Sequence, residues 1–131
     1  MTKLSVNLNK VALLRNSRGI EIPDVVSEGR ICIMAGARGL TVHPRPDQRH
    51  TKPSDVFALA MLVTKSPDIE FNIEGNPYPE FLKLVKKARP TQCTLVPDDP
   101  NQLTSDHGWD LKKEGEELVP VIKELQDSGI R

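Results

Sequence analysis

The chain has 131 residues and a mass of 14.6 kDa, with 37% hydrophobic and 27% charged residues. That suits one soluble globular domain and excludes collagen, low-complexity disorder and a disulfide scaffold. Lys plus Arg number 18, as do Asp plus Glu, so the basic excess expected of a nucleic-acid or membrane-surface protein is missing.

No apolar run approaches the roughly 18 residues of a membrane span, and Met1-Thr2-Lys3-Leu4 opens no signal peptide. Cys32 and Cys93 stand far apart in apolar contexts, which suits two buried thiols in a reducing cytoplasm. The zero net charge hides an asymmetry. Residues 1–52 carry nine basic and four acidic side chains, a balance of +5, and residues 53–131 carry nine and fourteen, a balance of −5. The amino-terminal half is therefore the side suited to a small anionic ligand.

Leu4-Ser5-Val6-Asn7-Leu8 alternates as a strand. Asn9 to Gly19 reads as a loop carrying Lys10, Arg15 and Arg18. Pro23 to Ala35 reads as a helix with proline in its first turn and Gly36 as its stop. Gly39 to His43 is a second strand, ended by Pro44. Ser54 is the expected N-cap of a helix from Asp55 to Lys65. Glu70 to Glu74 is a third strand, stopped by Gly75. From Pro79 to Ala88 a helix sets Phe81, Leu84, Val85 and Ala88 on one face. Gln92 to Val96 is a fourth strand. The last helix, Asp110 to Asp127, aligns Leu111, Leu118, Ile122 and Leu125, with a kink or break expected at Pro120.

Strands alternating with helices imply right-handed crossovers and a parallel sheet. Four such units are half of a (β/α)₈ barrel, which takes about 250 residues. Ser128-Gly129-Ile130-Arg131 reads as a helix stop and the entry to a fifth strand. The expectation is one domain over 1–131, the amino-terminal half of an α/β TIM-type barrel ending before strand five. A four-stranded flavodoxin-like sheet is the competing architecture.

Ligands bind beyond the carboxyl ends of the strands in both architectures, and here every strand delivers polar groups to that end. The first leads to Asn7, Asn9 and Lys10, the second to His43 and Arg45, the third to Glu74, and the fourth to Asp98, Asp99 and Thr104. Arg15 and Arg18 offer guanidinium forks of the kind that bind phosphate. An imidazole such as His43 exchanges protons near neutral pH, and His50 and Arg45 lie close to it in sequence. A desolvated Glu74 at a sheet mouth suits proton shuttling. Zinc on His43, His50 and Glu74 is an alternative, but histidines seven apart across a proline-rich loop match no compact zinc pattern. No GxxxxGK[ST] or GxGxxG is present, which argues against nucleoside triphosphates and dinucleotides. Asp98 and Asp99 read as loop solubilisers or caps, Trp109 as a packing residue, and His107 has no role.

Five segments together resemble pyridoxine 5′-phosphate synthase: Ser5 to Lys10, Leu14 to Gly19, Gly39 to His50 with its His-x-Arg-x-Asp-x-Arg-His block, Phe71 to Gly75, and Thr94 to Asp98. The resemblance runs in order from residue 4 to 131. It implies a TIM barrel nearly twice this length, cytoplasmic and usually octameric. Such an enzyme condenses 1-deoxy-D-xylulose 5-phosphate with 3-amino-2-oxopropyl phosphate, giving pyridoxine 5′-phosphate, phosphate and water, with no metal or redox cofactor. It also implies roles for individual residues. Asn7 and Arg18 would contact the aminoketone phosphate. Asn9, Lys10, Arg45, His50 and Thr104 would contact the deoxyxylulose phosphate. His43 and Glu74 would be acid/base catalysts. Many members have Asp-His where Asn9-Lys10 stands, others Asn-Lys. The family's third catalytic histidine and its glycine-rich phosphate site have no counterpart within these residues, so the 131-residue chain is expected to be inactive alone. Other readings are a phosphate-binding half-barrel without catalysis, a half-barrel that self-assembles, and a phosphosugar isomerase.

Overall fold

In a computed structural model, which describes residues 2–131, nine elements follow in chain order. They are β1 (Ser5–Asn7), α1 (Asn9–Arg18), α2 (Val25–Met34), β2 (Gly39–Val42), α3 (Pro53–Thr64), β3 (Glu70–Gly75), α4 (Pro79–Ala88), β4 (Gln92–Leu95) and α5 (Leu111–Asp127). The strands form one parallel sheet in the order β1-β2-β3-β4. That order decides between the two expected architectures. A flavodoxin-like sheet reverses direction after its first crossover and puts β1 inside, whereas here each crossover adds the next strand on the same side, as in a barrel.

The two faces of the sheet differ in chemistry. Leu40, Val42, Phe71 and Ile73 point to the helices and are fully buried with Leu8, Leu59 and Val85. The opposite face is polar. The Ser5 and Thr41 hydroxyls lie 2.8 Å apart, the Asn72 side-chain amide donates to Thr41 at 3.4 Å, and Thr94 donates to the Asn72 side-chain oxygen at 2.9 Å. Alternation thus sorts each strand into a helix-packed side and a concave side lined with hydrogen-bonding groups. Two glycines permit close approach. A Cβ on Gly39 would sit 2.8 Å from the Ser5 hydroxyl, and one on Gly75 would sit 2.3 Å from the Phe81 ring.

Several expectations need correction. The segment after β1 is a helix, α1, not a loop. It packs Ala12 and Arg15 inward, so a buried arginine stands where an apolar residue would have marked a helix. α2 starts two residues later than expected, with Asp24 as N-cap accepting from the Ser27 amide at 2.8 Å. Ser54 is not the cap of α3. Pro53 occupies the first turn and Lys52 is the N-cap, its amide held by the Asp55 carboxylate at 2.8 Å. α5 runs unbroken through Pro120. Pro120 is exposed, so the Glu116 carbonyl left without its donor lies toward water. In α5, Leu118 and Leu125 are buried as expected, but Leu111 and Ile122 are exposed. Both cysteines are half-buried and unpaired, and burial pushes the Cys93 thiol up to about 12.

Arg131 lies beside β4. Its amide donates to the Thr91 carbonyl at 3.1 Å, and its carbonyl accepts from the Cys93 amide at 2.8 Å. This is the two-bond pattern of a parallel ladder. The guanidinium reaches across the sheet to Glu70 at 2.7 Å and to Gln92 at 2.8 Å.

Candidate active site at the carboxyl ends of the strands

Asn7 ends β1 and its amide donates to Glu74 Oε2 across the sheet at 3.5 Å. The Asn7 side-chain oxygen accepts from the Asn9 backbone amide at 2.8 Å, turning the chain into α1. Asn9 acts as a clasp. Its side-chain oxygen accepts from the His43 amide at 2.8 Å and from the Thr51 hydroxyl at 3.0 Å. The side chain assigned by resemblance to a substrate is here also the tie that sets the end of β2 against β1.

His43 follows β2, is 7% exposed, and lies 5.9 Å from the His50 ring, centroid to centroid. Burial holds its pKa below the ordinary histidine value; Asp98 opposes that shift and Arg45 adds to it. His50 Nδ1 accepts from the Thr51 amide at 2.9 Å, which fixes the unprotonated nitrogen. Burial, helped by His43 and Arg45, pushes the His50 pKa down to about 4. Glu74 moves the other way, because burial and the nearby Asp98 charge raise it above the usual carboxylate value. Burial therefore favours the uncharged form of all three groups.

Arg45 is 5% exposed and committed to the loop after β4. Nη2 donates to the carbonyls of Gln102 at 2.6 Å, Pro100 at 3.2 Å and Asp99 at 3.4 Å, and Nη1 faces Asp98 Oδ2 at 3.4 Å. Arg15 is also not free for a phosphate. It is 4% exposed and grips Asp55 of α3 through both oxygens, at 2.5 and 2.9 Å. Beside it, the Asn16 amide donates to the carbonyls of Gln48, Arg49 and His50. The pair Arg15-Asn16 thus braces the β2–α3 loop that carries His50. Lys10, Arg18 and Thr104 are exposed, and their side chains take no part in the bonds that tie the cluster together. Trp109 packs as expected, half-buried with its indole donating to the Leu95 carbonyl at 2.9 Å.

Asp98 was underrated by the sequence. It is 4% exposed, not a solubiliser. Its Oδ2 takes the Ser105 hydroxyl, faces Arg45, and lies 4.0 Å from His43 Nδ1. No spacing rule finds it, because an Asp after Pro97 looks the same whether its loop folds in or out.

A cavity of about 510 Å³ adjoins this cluster. Its walls include Pro44, Tyr78, Phe81 and Leu84, with His43, Arg45 and Asp98 on one side. Asn7, Asn9, His50 and Glu74 do not line it, so it lies on the helix side of the strand ends. Asn7 and Glu74 meet on the polar, concave side of the sheet, while His43 also borders the cavity.

The family model described as pyridoxal phosphate biosynthesis protein PdxJ matches residues 4–131. Among curated relatives, a pyridoxine 5′-phosphate synthase of Xanthomonas campestris pv. campestris (strain B100) is 55% identical over 137 residues, covering 99% of this chain and 53% of the relative. One from Bacteroides fragilis (strain YCH46) is 55% identical over 131 residues, covering 100% and 54%. Another from Mesorhizobium japonicum is 52% identical over 130 residues, covering 98% and 53%. The chain spans about half the length of these relatives. With its sequential parallel sheet and a family match over nearly its whole length, the chain belongs to the PdxJ family of pyridoxal phosphate biosynthesis proteins.

Proposed function

We propose that this chain supplies the first four βα units of a cytoplasmic, homo-oligomeric pyridoxine 5′-phosphate synthase barrel. The barrel condenses 1-deoxy-D-xylulose 5-phosphate with 3-amino-2-oxopropyl phosphate. The observation that carries the reading is the placement of His43 and Glu74 at the ends of adjacent strands, with Asn7 bridging to Glu74 at 3.5 Å. Amine addition to a ketone, dehydration and ring closure are successive proton transfers, which need groups that exchange protons near neutral pH. Burial lowers the pKa of His43, favouring its neutral form as a base, and raises that of Glu74 above the ordinary carboxylate value, favouring its protonated form as a proton carrier. Asn7 and Arg18 serve the aminoketone phosphate. Lys10, Asn9, Arg45, His50 and Thr104 serve the sugar phosphate, with Arg45 acting chiefly by holding the β4 loop that carries Thr104.

The test joins residues 1–131 to the carboxyl-terminal half of the Xanthomonas campestris relative and supplies both phosphates. The expected result is pyridoxine 5′-phosphate, with turnover cut about a hundredfold or more by His43→Ala or Glu74→Ala. A folded chimaera that makes no product overturns the reading. Full turnover with Glu74→Ala overturns the acid/base assignment. The chain alone is expected not to turn over. Saturable binding of either phosphate by the chain alone would mark a half-barrel that keeps its subsites.

A further inference from the structure

Two carboxylates are buried among the described residues, Asp55 and Asp98. Asp55 is matched by a two-pronged arginine. Asp98 is not. Its Oδ2 serves Ser105, Arg45 and the Nδ1 side of His43, while its Oδ1 has no protein partner. A buried charge is costly unless its neighbours require it. The neighbours here are the group assigned to proton transfer and the arginine that fastens the β4 loop. The loop bonds of Arg45 hold residues 99–102, just beyond Asp98, and the Asn76 amide holds the Asp98 carbonyl at 3.3 Å. The carboxylate is thus fixed from both sides against the imidazole edge.

We propose that Asp98 is a positioning residue: its carboxylate orients the His43 ring through the Nδ1 side, leaving Nε2 toward the substrate, and couples that ring to the Arg45-fastened loop. A carboxylate behind a histidine that carries protons fixes its tautomer and steadies its charged form. The 4.0 Å separation is longer than a hydrogen bond, and the proposal has it shorten when substrate binds, as catalytic contacts often do. The inference rests on the reading of His43 as the acid/base group.

The charged and titratable groups around His43 are Asp98 from the β4 loop, Arg45, Asp47 and His50 from the β2 loop, and Glu74 at the end of the adjacent β3, whose pKa Asp98 also raises. The test compares Asp98→Asn, Asp98→Glu and the parent in the chimaera. With Asp98→Asn, kcat is expected to fall at least about tenfold with KM changed less than about threefold. The acid limb of the kcat/KM profile is expected to move to lower pH, and Asp98→Glu to recover part of both. The His43 ring is titrated by NMR in the same proteins, and its midpoint is expected to fall in Asp98→Asn. Unchanged kcat, or lost activity with an unmoved His43 midpoint and no recovery by glutamate, overturns the proposal. If Asp98→Asn does not fold, Ser105→Ala tests the same carboxylate by freeing it from its hydroxyl, and an unmoved His43 midpoint there overturns it. If the parent chimaera makes no product, the synthase reading fails by itself, and the NMR midpoints alone decide whether Asp98 governs His43.

Discussion

His50 carries a cost that shows in acid. Its ring is neutral in the folded protein down to about pH 4, but takes a proton near 6.5 in the unfolded chain. Between those values the unfolded state binds more protons, so stability must rise with pH across that window and fall as acid is added. His43 contributes in the same direction. Glu74 opposes them just above pH 4.5, where it keeps its proton longer in the folded state. His50→Asn keeps an acceptor for the Thr51 amide and removes the titration. Denaturant melts at pH 4.5, 5.5, 6.5 and 7.5 are expected to show a shallower acid limb for His50→Asn than for the parent, by up to one proton's worth of slope. Parallel limbs would show that His50 is not the buried neutral base described. At this scale the sequence was legible where a residue sits at a strand end, as with Asn7, His43 and Glu74. It was not legible where burial depends on a distant partner. Arg45 meets carbonyls some fifty residues away, and Asp98 meets an imidazole 55 positions earlier.

Elements were legible where their apolar pattern was clean. α4 matched to the residue, because Phe81 and Val85 are buried at helical spacing and prolines mark its start. α1 was missed because its inward face is Ala12 and Arg15. Its arginine gives a second prediction. Removing one member of a buried ion pair strands the other charge, at about 3–5 kcal/mol. Arg15→Met is expected to lower stability by about 3 kcal/mol, and the double change with Asp55→Leu to cost less than the two single changes added. Additive losses in urea melts would mean that the pair is not a unit. Gly75 gives a third. A methyl there meets the Phe81 ring at 2.3 Å, so Gly75→Ala is expected to cost about 1–3 kcal/mol through overpacking. Phe81→Leu in the same chain is expected to return part of that loss. Equal stability of Gly75→Ala and the parent would show that α4 moves away freely.

At the scale of the molecule, the sheet is an open arc with two edges. Among the described residues, β1 has no neighbour on its outer side, and β4 is paired there only at Arg131, leaving Thr94 and Leu95 without a ladder partner beyond β3. The concave face of the sheet carries Ser5, Thr41, Asn72 and Thr94, hydrogen-bonded in a chain, and Asn7 bonded to Glu74, rather than packed against an apolar layer. Unpaired strand edges recruit other strands unless charge, proline or a bulge blocks them. Here neither edge strand contains Lys, Arg, Asp, Glu or Pro. A parallel strand laid beside β4 from a second copy would continue the ladder that Arg131 begins. The 131-residue chain is therefore expected to self-associate. Size exclusion with light scattering, run from about 1 to 100 μM, is expected to show dimers or larger species whose share grows with concentration. A monodisperse monomer across that range would mean that the edges are protected by their own twist, and that the arc is stable without closing.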